Sequence, residues 1–255
     1  MRFAFLLLVL LLPWAAHAVD RVGVVLMHGK WGSPDSHVVT LADKLESAGF
    51  LVERPLMPWS RKRDYDADYS QAMADIDKAA DTLRRKGAGR IAVGGHSLGA
   101  NAALGYAASR SDVAAVLALA PGHAPELFAA RLKDSIAKAR DMVAQGRGEE
   151  TAGFDDINQG QGKSITPKAR IYLSYFDPDG PAVMPANTAA FKQPLPLLWV
   201  IGTGDPLFQR GPDYAFAKAP PHPASQYLVV EAGHVNTPDV AADQIVAWLR
   251  RATAE

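Results

Sequence analysis

Three residues of this chain carry the makings of one reaction. Ser97 lies in Gly95-His96-Ser97-Leu98-Gly99, Asp205 in Gly202-Thr203-Gly204-Asp205-Pro206, and His234 in Glu231-Ala232-Gly233-His234. A serine hydroxyl is a poor nucleophile at neutral pH, and a neutral imidazole activates it by removing its proton as the oxygen attacks. A carboxylate on the other ring nitrogen fixes the tautomer and stabilises the imidazolium. The chemistry open to such a set is acyl transfer through a covalent serine adduct. Each motif alone also has a plainer reading: a glycine-rich turn with a surface serine, a turn aspartate, and a loop histidine. Their order and their flanking elements decide between the two.

Those elements must bring three distant residues to one place. Arg90-Ile91-Ala92-Val93-Gly94 is a short apolar strand ahead of Ser97, and residues 100–108 are rich in small helix formers. A strand, a tight turn and a helix are the context in which G-x-S-x-G presents a nucleophile. Gly95, Gly99 and Ala100 would relieve the crowding of strand against helix. Ser97 Oγ would then point outward beside the positive end of a helix. The apolar run Leu197-Leu198-Trp199-Val200-Ile201 precedes Asp205, and Tyr227-Leu228-Val229-Val230 precedes His234. Asp177 is the alternative acid, following Ile171-Tyr172-Leu173-Ser174-Tyr175-Phe176. Asp205 is preferred, because its strand directly precedes the strand that leads to His234.

The motifs H-G-K-W-G (from His28), G-H-S-L-G, G-T-G-D-P and A-G-H, with the order Ser97, Asp205, His234, resemble those of the α/β-hydrolase superfamily. The likeness is greatest to its small dienelactone-hydrolase-like and esterase-like branches and covers nearly all of the chain after the leader. It implies a serine hydrolase that cleaves a carboxylic ester through an acyl-enzyme. It also implies an oxyanion hole, built from the backbone N–H of Lys30 (or of Trp31, one residue on) and that of Leu98, with His28 holding the loop. Three departures are visible. Dienelactone hydrolases proper use cysteine and this chain has none. Ser97 stands where epoxide hydrolases and haloalkane dehalogenases have aspartate, and the H-G-G-G signature of hormone-sensitive-lipase-like esterases is absent. Thioesterase or peptidase activity would use the same three residues, and a non-catalytic binding protein on this scaffold is the alternative from another class.

Composition agrees with a single globular enzyme. The 255 residues balance 27 basic against 27 acidic side chains, so no global charge favours nucleic acid. The seven histidines show no paired ligand spacing, and no metal or cofactor is expected. Met1-Arg2, the apolar stretch 3–12, Pro13 and Ala16-His17-Ala18 read as a cleaved signal peptide of residues 1–18. This places the mature chain, residues 19–255, in the periplasm or the medium without a stable membrane anchor.

The remaining pattern alternates strands with helices, which predicts a mostly parallel, doubly wound sheet with helices on both faces. Helices are expected over residues 36–48, 66–86, 126–145 and 238–250, and strands over 50–53, 113–119 and 171–176. Residues 146–163, rich in Gly, Asp, Gln and Asn, read as an exposed loop. The stretch 122–193 is expected to form a short helical cap that shapes the substrate pocket. One charged cluster bears on substrate. Arg61, Lys62 and Arg63 follow an early strand, where loops ring the site of an open α/β sheet. Arg61, Arg63 and Trp31 are therefore candidate substrate contacts, against a reading as a solvated run balanced by Asp64, Asp66 and Asp68.

Overall fold

The computed structural model describes residues 21–254, so the signal peptide read in residues 1–18 lies outside the described residues. In chain order the elements begin β1 (Arg21–Met27), α1 (Val39–Ser47), β2 (Leu51–Glu53), α2 (Tyr69–Arg85), β3 (Ala88–Ser97), α3 (Leu98–Ser109) and β4 (Val113–Pro121). Then come α4 (Pro125–Phe128), α5 (Lys133–Ala144), β5 (Phe154–Asn158), β6 (Gln161–Ile165), α6 (Ala169–Phe176) and α7 (Met184–Ala189). The chain closes with β7 (Leu197–Gly202), β8 (Gln226–Val230), α8 (Thr237–Val240) and α9 (Ala242–Ala252).

The unbroken apolar runs of β1, β3, β4 and β7 become central strands buried on both faces, while the edge strands β2 and β8 stay partly exposed. The sheet order is β2-β1-β3-β4-β7-β8, and every pairing in it is parallel. On one face α1 and α9 bury Leu41, Leu45, Ile245, Trp248 and Leu249 against Val24, Leu26 and Val200. On the other, α2, α3 and α5–α7 pack Ile76, Leu83, Leu104 and Tyr172 over Val25, Val93 and Trp199. The expected doubly wound architecture is what forms. The winding reverses between β1 and β3, and at such a switch point a crevice opens outside the carboxyl ends of the strands. Met27 ends β1 opposite Gly95 of β3, so the loop from His28 and the turn at Ser97 share that crevice.

Local chemistry sets the ends of α2. Asp68 accepts from the Gln71 N–H while the Gln71 side chain accepts from the Asp68 N–H, a reciprocal cap. Two helices differ from their expected extent. The helix expected over 126–145 is broken into α4, a single 3-10 turn over Ala129–Arg131, and α5. The last helix divides at Ala241 into α8 and α9.

Two larger corrections fall in the segment between β4 and β7. Residues 171–176 are not a strand but the body of α6. Their aromatic and β-branched side chains suit a strand, yet Ala169, Tyr172 and Phe176, with Ile171 and Tyr175, recur at helical spacing and are all buried. Residues 146–163 are not one exposed loop either: β5 and β6 pair as an antiparallel hairpin. Gln159 (φ +49°) and Gly160 (φ +78°) form a two-residue turn with both φ positive, the geometry that suits a hairpin's twist. The insertion expected as a short helical cap thus consists of α4–α7 with this hairpin added.

Candidate active site

At the end of β3 the chain turns sharply into α3. Ser97 has φ +58° and ψ −117°, a strained conformation for a residue with a side chain. Close packing enforces it: a Cβ on Gly95 would stand 2.5 Å from the Met27 carbonyl oxygen, and one on Gly99 2.6 Å from the same atom. Only glycine fits at either place, so the turn that lifts Ser97 is written into its two neighbours. Gly122, at the end of β4, is a third such position, since a Cβ there would lie 2.6 Å from Ser97 Oγ.

His234 and Asp205 reach Ser97 from the loops after β8 and β7. His234 Nε2 is 3.0 Å from Ser97 Oγ, and His234 Nδ1 is 2.6 Å from Asp205 Oδ2. With the carboxylate on Nδ1, that nitrogen carries the proton and Nε2 is free to accept from the serine. The other oxygen of Asp205 accepts the Leu207 N–H at 2.8 Å. The two loops are tied together by the Thr203 N–H to Val230 O and the Gly204 N–H to Ala232 O, both 2.9 Å. His96 Nε2 lies 2.9 Å from the His234 carbonyl oxygen and holds that residue's backbone. Asp177, the alternative acid, is engaged elsewhere, in an ion pair with Arg140 at 2.6 Å.

The loop from His28 to Gly32 lies against this group, with a Cβ on Gly29 only 3.1 Å from Ser97 Cβ. The Trp31 N–H donates to the Trp59 carbonyl at 2.9 Å. Among the described residues the Lys30 N–H has no acceptor, so Lys30 rather than Trp31 keeps a donor to offer. Leu98 is the first residue of α3, where a backbone N–H has no intrahelical partner. His28 is structural, as expected: its Nε2 accepts the Met57 N–H at 3.1 Å, and its carbonyl accepts Trp59 Nε1–H at 2.9 Å.

What fixes Lys30 and Trp31 is a residue that sequence reasoning left in a loop. Asp156, on β5 and fully buried, accepts Lys30 Nζ at 2.6 Å, Trp31 Nε1 at 2.9 Å and the Tyr65 hydroxyl at 2.9 Å. Burial pulls the Lys30 ammonium below its ordinary pKa, against the opposing pull of Asp156. Asp156→Asn would leave that cation buried without a counter-ion. Breaking one side of a buried pair costs about 3–5 kcal/mol, roughly 6–20 °C of melting temperature at this size. Thermal melting should show that loss, and adding Lys30→Met should restore most of it, because removing both charges is close to neutral. An Asp156→Asn protein melting within about two degrees of wild type would contradict the role given to the pair.

Two cavities, of about 480 and 390 Å³, meet at Ser97 and His234. Trp31 and Arg61, the candidate substrate contacts, line the larger, and Lys62 joins them. Arg63 does not line it and is corrected to a structural residue. Its guanidinium is spent on Asp66 (3.0 Å), Asp75 (2.7 Å) and the Leu56 carbonyl (2.9 Å). The hairpin residues Asn158 and Gln159 line both cavities, and Gly122 and His123 line the smaller. None of these four was singled out from sequence; the Asn-Gln-Gly turn was the one signal available.

Three buried histidines should make the stability depend on pH. Burial lowers the pKa of His28, His96 and His123, that of His96 to about 3. In the unfolded chain each would titrate near 6.5. Between those values the unfolded chain binds more protons than the folded one, so stability falls as pH falls. The slope is up to about 1.4 kcal/mol per pH unit for each histidine. Melting temperature should decline steadily from about pH 6.5 downward, and His96→Asn should flatten the decline. A wild-type melting temperature constant to about pH 4 would contradict this.

Comparison with known proteins is consistent with this architecture. A model described as the alpha/beta hydrolase family matches residues 24–248. No curated protein sequence matches the chain. Among solved structures, the chain is similar to a monoacylglycerol lipase of Paleococcus ferrophilus: 20% identity, TM-score 0.67, 91% of this chain and 95% of that one covered. It is similar also to an esterase of Pyrococcus furiosus, at 18% identity and TM-score 0.60, over 91% of this chain and 82% of the other. The thioesterase domain of the curacin biosynthetic pathway aligns at 16% identity and TM-score 0.53, over 89% and 90%. Likeness at this level of identity concerns the fold.

Proposed function

Since the chain belongs to the alpha/beta hydrolase family, we propose that it is a serine hydrolase cleaving a small carboxylic ester through an acyl-enzyme. The observation that supports this most is the continuous relay from Asp205 through His234 to a strained Ser97, opening onto two cavities. In this reading Ser97 Oγ attacks the ester carbonyl carbon while its proton passes to His234 Nε2. The negative oxygen that forms is met by the backbone N–H groups of Lys30 and Leu98, each such donor contributing about 10²–10³ in rate. The bond from carbon to the alcohol oxygen then breaks, and His234 delivers the proton to the departing alkoxide. Water repeats the sequence on the acyl-enzyme, releasing the acid and restoring Ser97. Asp205 stays ionised throughout and holds the imidazole.

Thioesters and activated amides can follow the same steps, and rates on matched oxygen ester, thioester and amide would rank them. Export to the periplasm or the medium is part of the proposal and rests on the leader in residues 1–18. The proposal is tested with purified protein on 4-nitrophenyl esters of graded acyl length. Turnover that a fluorophosphonate abolishes is expected. Absence of turnover across the panel, with no fluorophosphonate incorporation, would instead favour a binding protein on this scaffold.

A further inference from the structure

We infer that the substrate has two unlike limbs, one apolar and one carrying an anionic group such as a carboxylate, and that Arg61 and Lys62 receive the anionic limb. This rests on the reading of Ser97 as the reacting centre, because that residue stands where the two cavities meet. The larger cavity has no aspartate or glutamate in its lining, while Lys30, Arg61 and Lys62 all line it. Lys30 is already neutralised by Asp156. Arg61 and Lys62 are exposed and, among the described residues, have no carboxylate partner.

The carboxylates that would balance them are committed elsewhere. Asp64 pairs with Lys163 at 3.0 Å, Asp66 and Asp75 with Arg63, and Asp68 with Arg170 at 2.7 Å. What sets Arg61 and Lys62 apart from other exposed cations is their place in the lining of the cavity that also holds Ser97. Arg63 supplies the reason they are held there. Its bonds to Asp66, Asp75 and the Leu56 carbonyl pin the turn, so Arg61 and Lys62 are presented from a fixed backbone. A positioned pair of cations in a concave site attracts and orients an anion better than the same charges on a flexible surface.

The smaller cavity has an apolar wall, although Lys30, Arg131 and Asp205 also line it. Leu127, Phe128, Ile157, Pro206 and Leu207 line it. Leu127 is an exposed large apolar side chain there, at 37%. Burying an apolar limb against that wall is favourable in proportion to the area removed from water. Arg131 also lines this cavity and is the competing cation.

The test measures binding apart from turnover. Ser97→Ala protein is titrated calorimetrically with phenyl heptanoate, with phenyl hemiadipate, and with heptanoyl esters of 4-hydroxybenzoate and 4-hydroxybenzamide. The anion thus stands on the acyl limb in one probe and on the aryl limb in another. One anionic probe should bind about ten-fold or more tightly than its neutral counterpart. That advantage should vanish with Arg61→Gln and Lys62→Gln together, shrink strongly in about 0.5 M salt, and persist with Arg131→Gln. Equal affinities, an advantage that survives loss of Arg61 and Lys62, or one that follows Arg131 would each overturn the inference. If wild-type protein hydrolyses none of these esters while the anionic preference stands, the hydrolase reading fails and the anion subsite remains.

Discussion

Ser97→Ala is expected to lower kcat for ester hydrolysis by about 10⁴-fold or more while leaving the melting temperature close to wild type. The size follows from the role. Without a nucleophile the relay has nothing to activate, and only binding and the two backbone donors remain to stabilise the transition state. Ester binding should survive, so the loss should appear in kcat and not in KM. The fold has little to lose. Alanine at φ +58° is no more strained than serine, and the removed hydroxyl makes one hydrogen bond, to His234. Steady-state kinetics and a thermal melt on the same preparation check both halves. Near-wild-type turnover by the pure variant would remove Ser97 from the mechanism, and a collapsed melt would make it structural.

The acid gives the second large effect. Asp205→Asn is expected to cost about 10⁴-fold in kcat at neutral pH, by analogy with the serine proteases, where asparagine at this position stabilises the wrong imidazole tautomer. The substitution keeps a side-chain oxygen for the Leu207 N–H, so the turn should hold. Asp177→Asn is the matched control. It also follows an apolar segment and sits in a proline-bearing turn, but its partner is Arg140 on a half-exposed surface. Its kcat should stay within about two-fold of wild type. If instead Asp177→Asn were crippled and Asp205→Asn nearly normal, the assignment of the acid would be reversed.

The parts of this molecule that were legible in the sequence are those in which local and global demands agree. The β3–α3 turn could be read because glycine at 95 and 99 is required by contacts with one carbonyl oxygen, and small residues there leave few other readings. The strand before Asp205 could be read because a parallel strand buried on both faces needs an unbroken apolar run, and the edge strand before His234 because its β-branched and aromatic residues favour an extended chain. The hairpin failed for the opposite reason. On β5 the inward residues are Phe154 and Asp156, so a buried carboxylate occupies a position where alternation expects an apolar side chain. Its justification lies far off in sequence, in Lys30, Trp31 and Tyr65, and appears only once the chain is folded. Helix α6 was misread because Tyr, Phe and Ile favour strands intrinsically while tertiary packing here selects a helical stripe. The charged cluster was half legible. Three adjacent cations were visible near the site, but which one would be consumed by the scaffold depended on Asp75, nearly two turns into α2.

The central claim is that Ser97 is the residue that forms the covalent bond. The most direct measurement is peptide-level mass spectrometry of protein treated with a fluorophosphonate at neutral pH, alongside Asp205→Asn and Ser97→Ala. One phosphonyl group is expected, on the peptide containing Gly95-His96-Ser97-Leu98-Gly99, with incorporation greatly slowed in Asp205→Asn and absent in Ser97→Ala. An adduct on a different residue, or none in a protein that nonetheless turns over esters, would contradict the account.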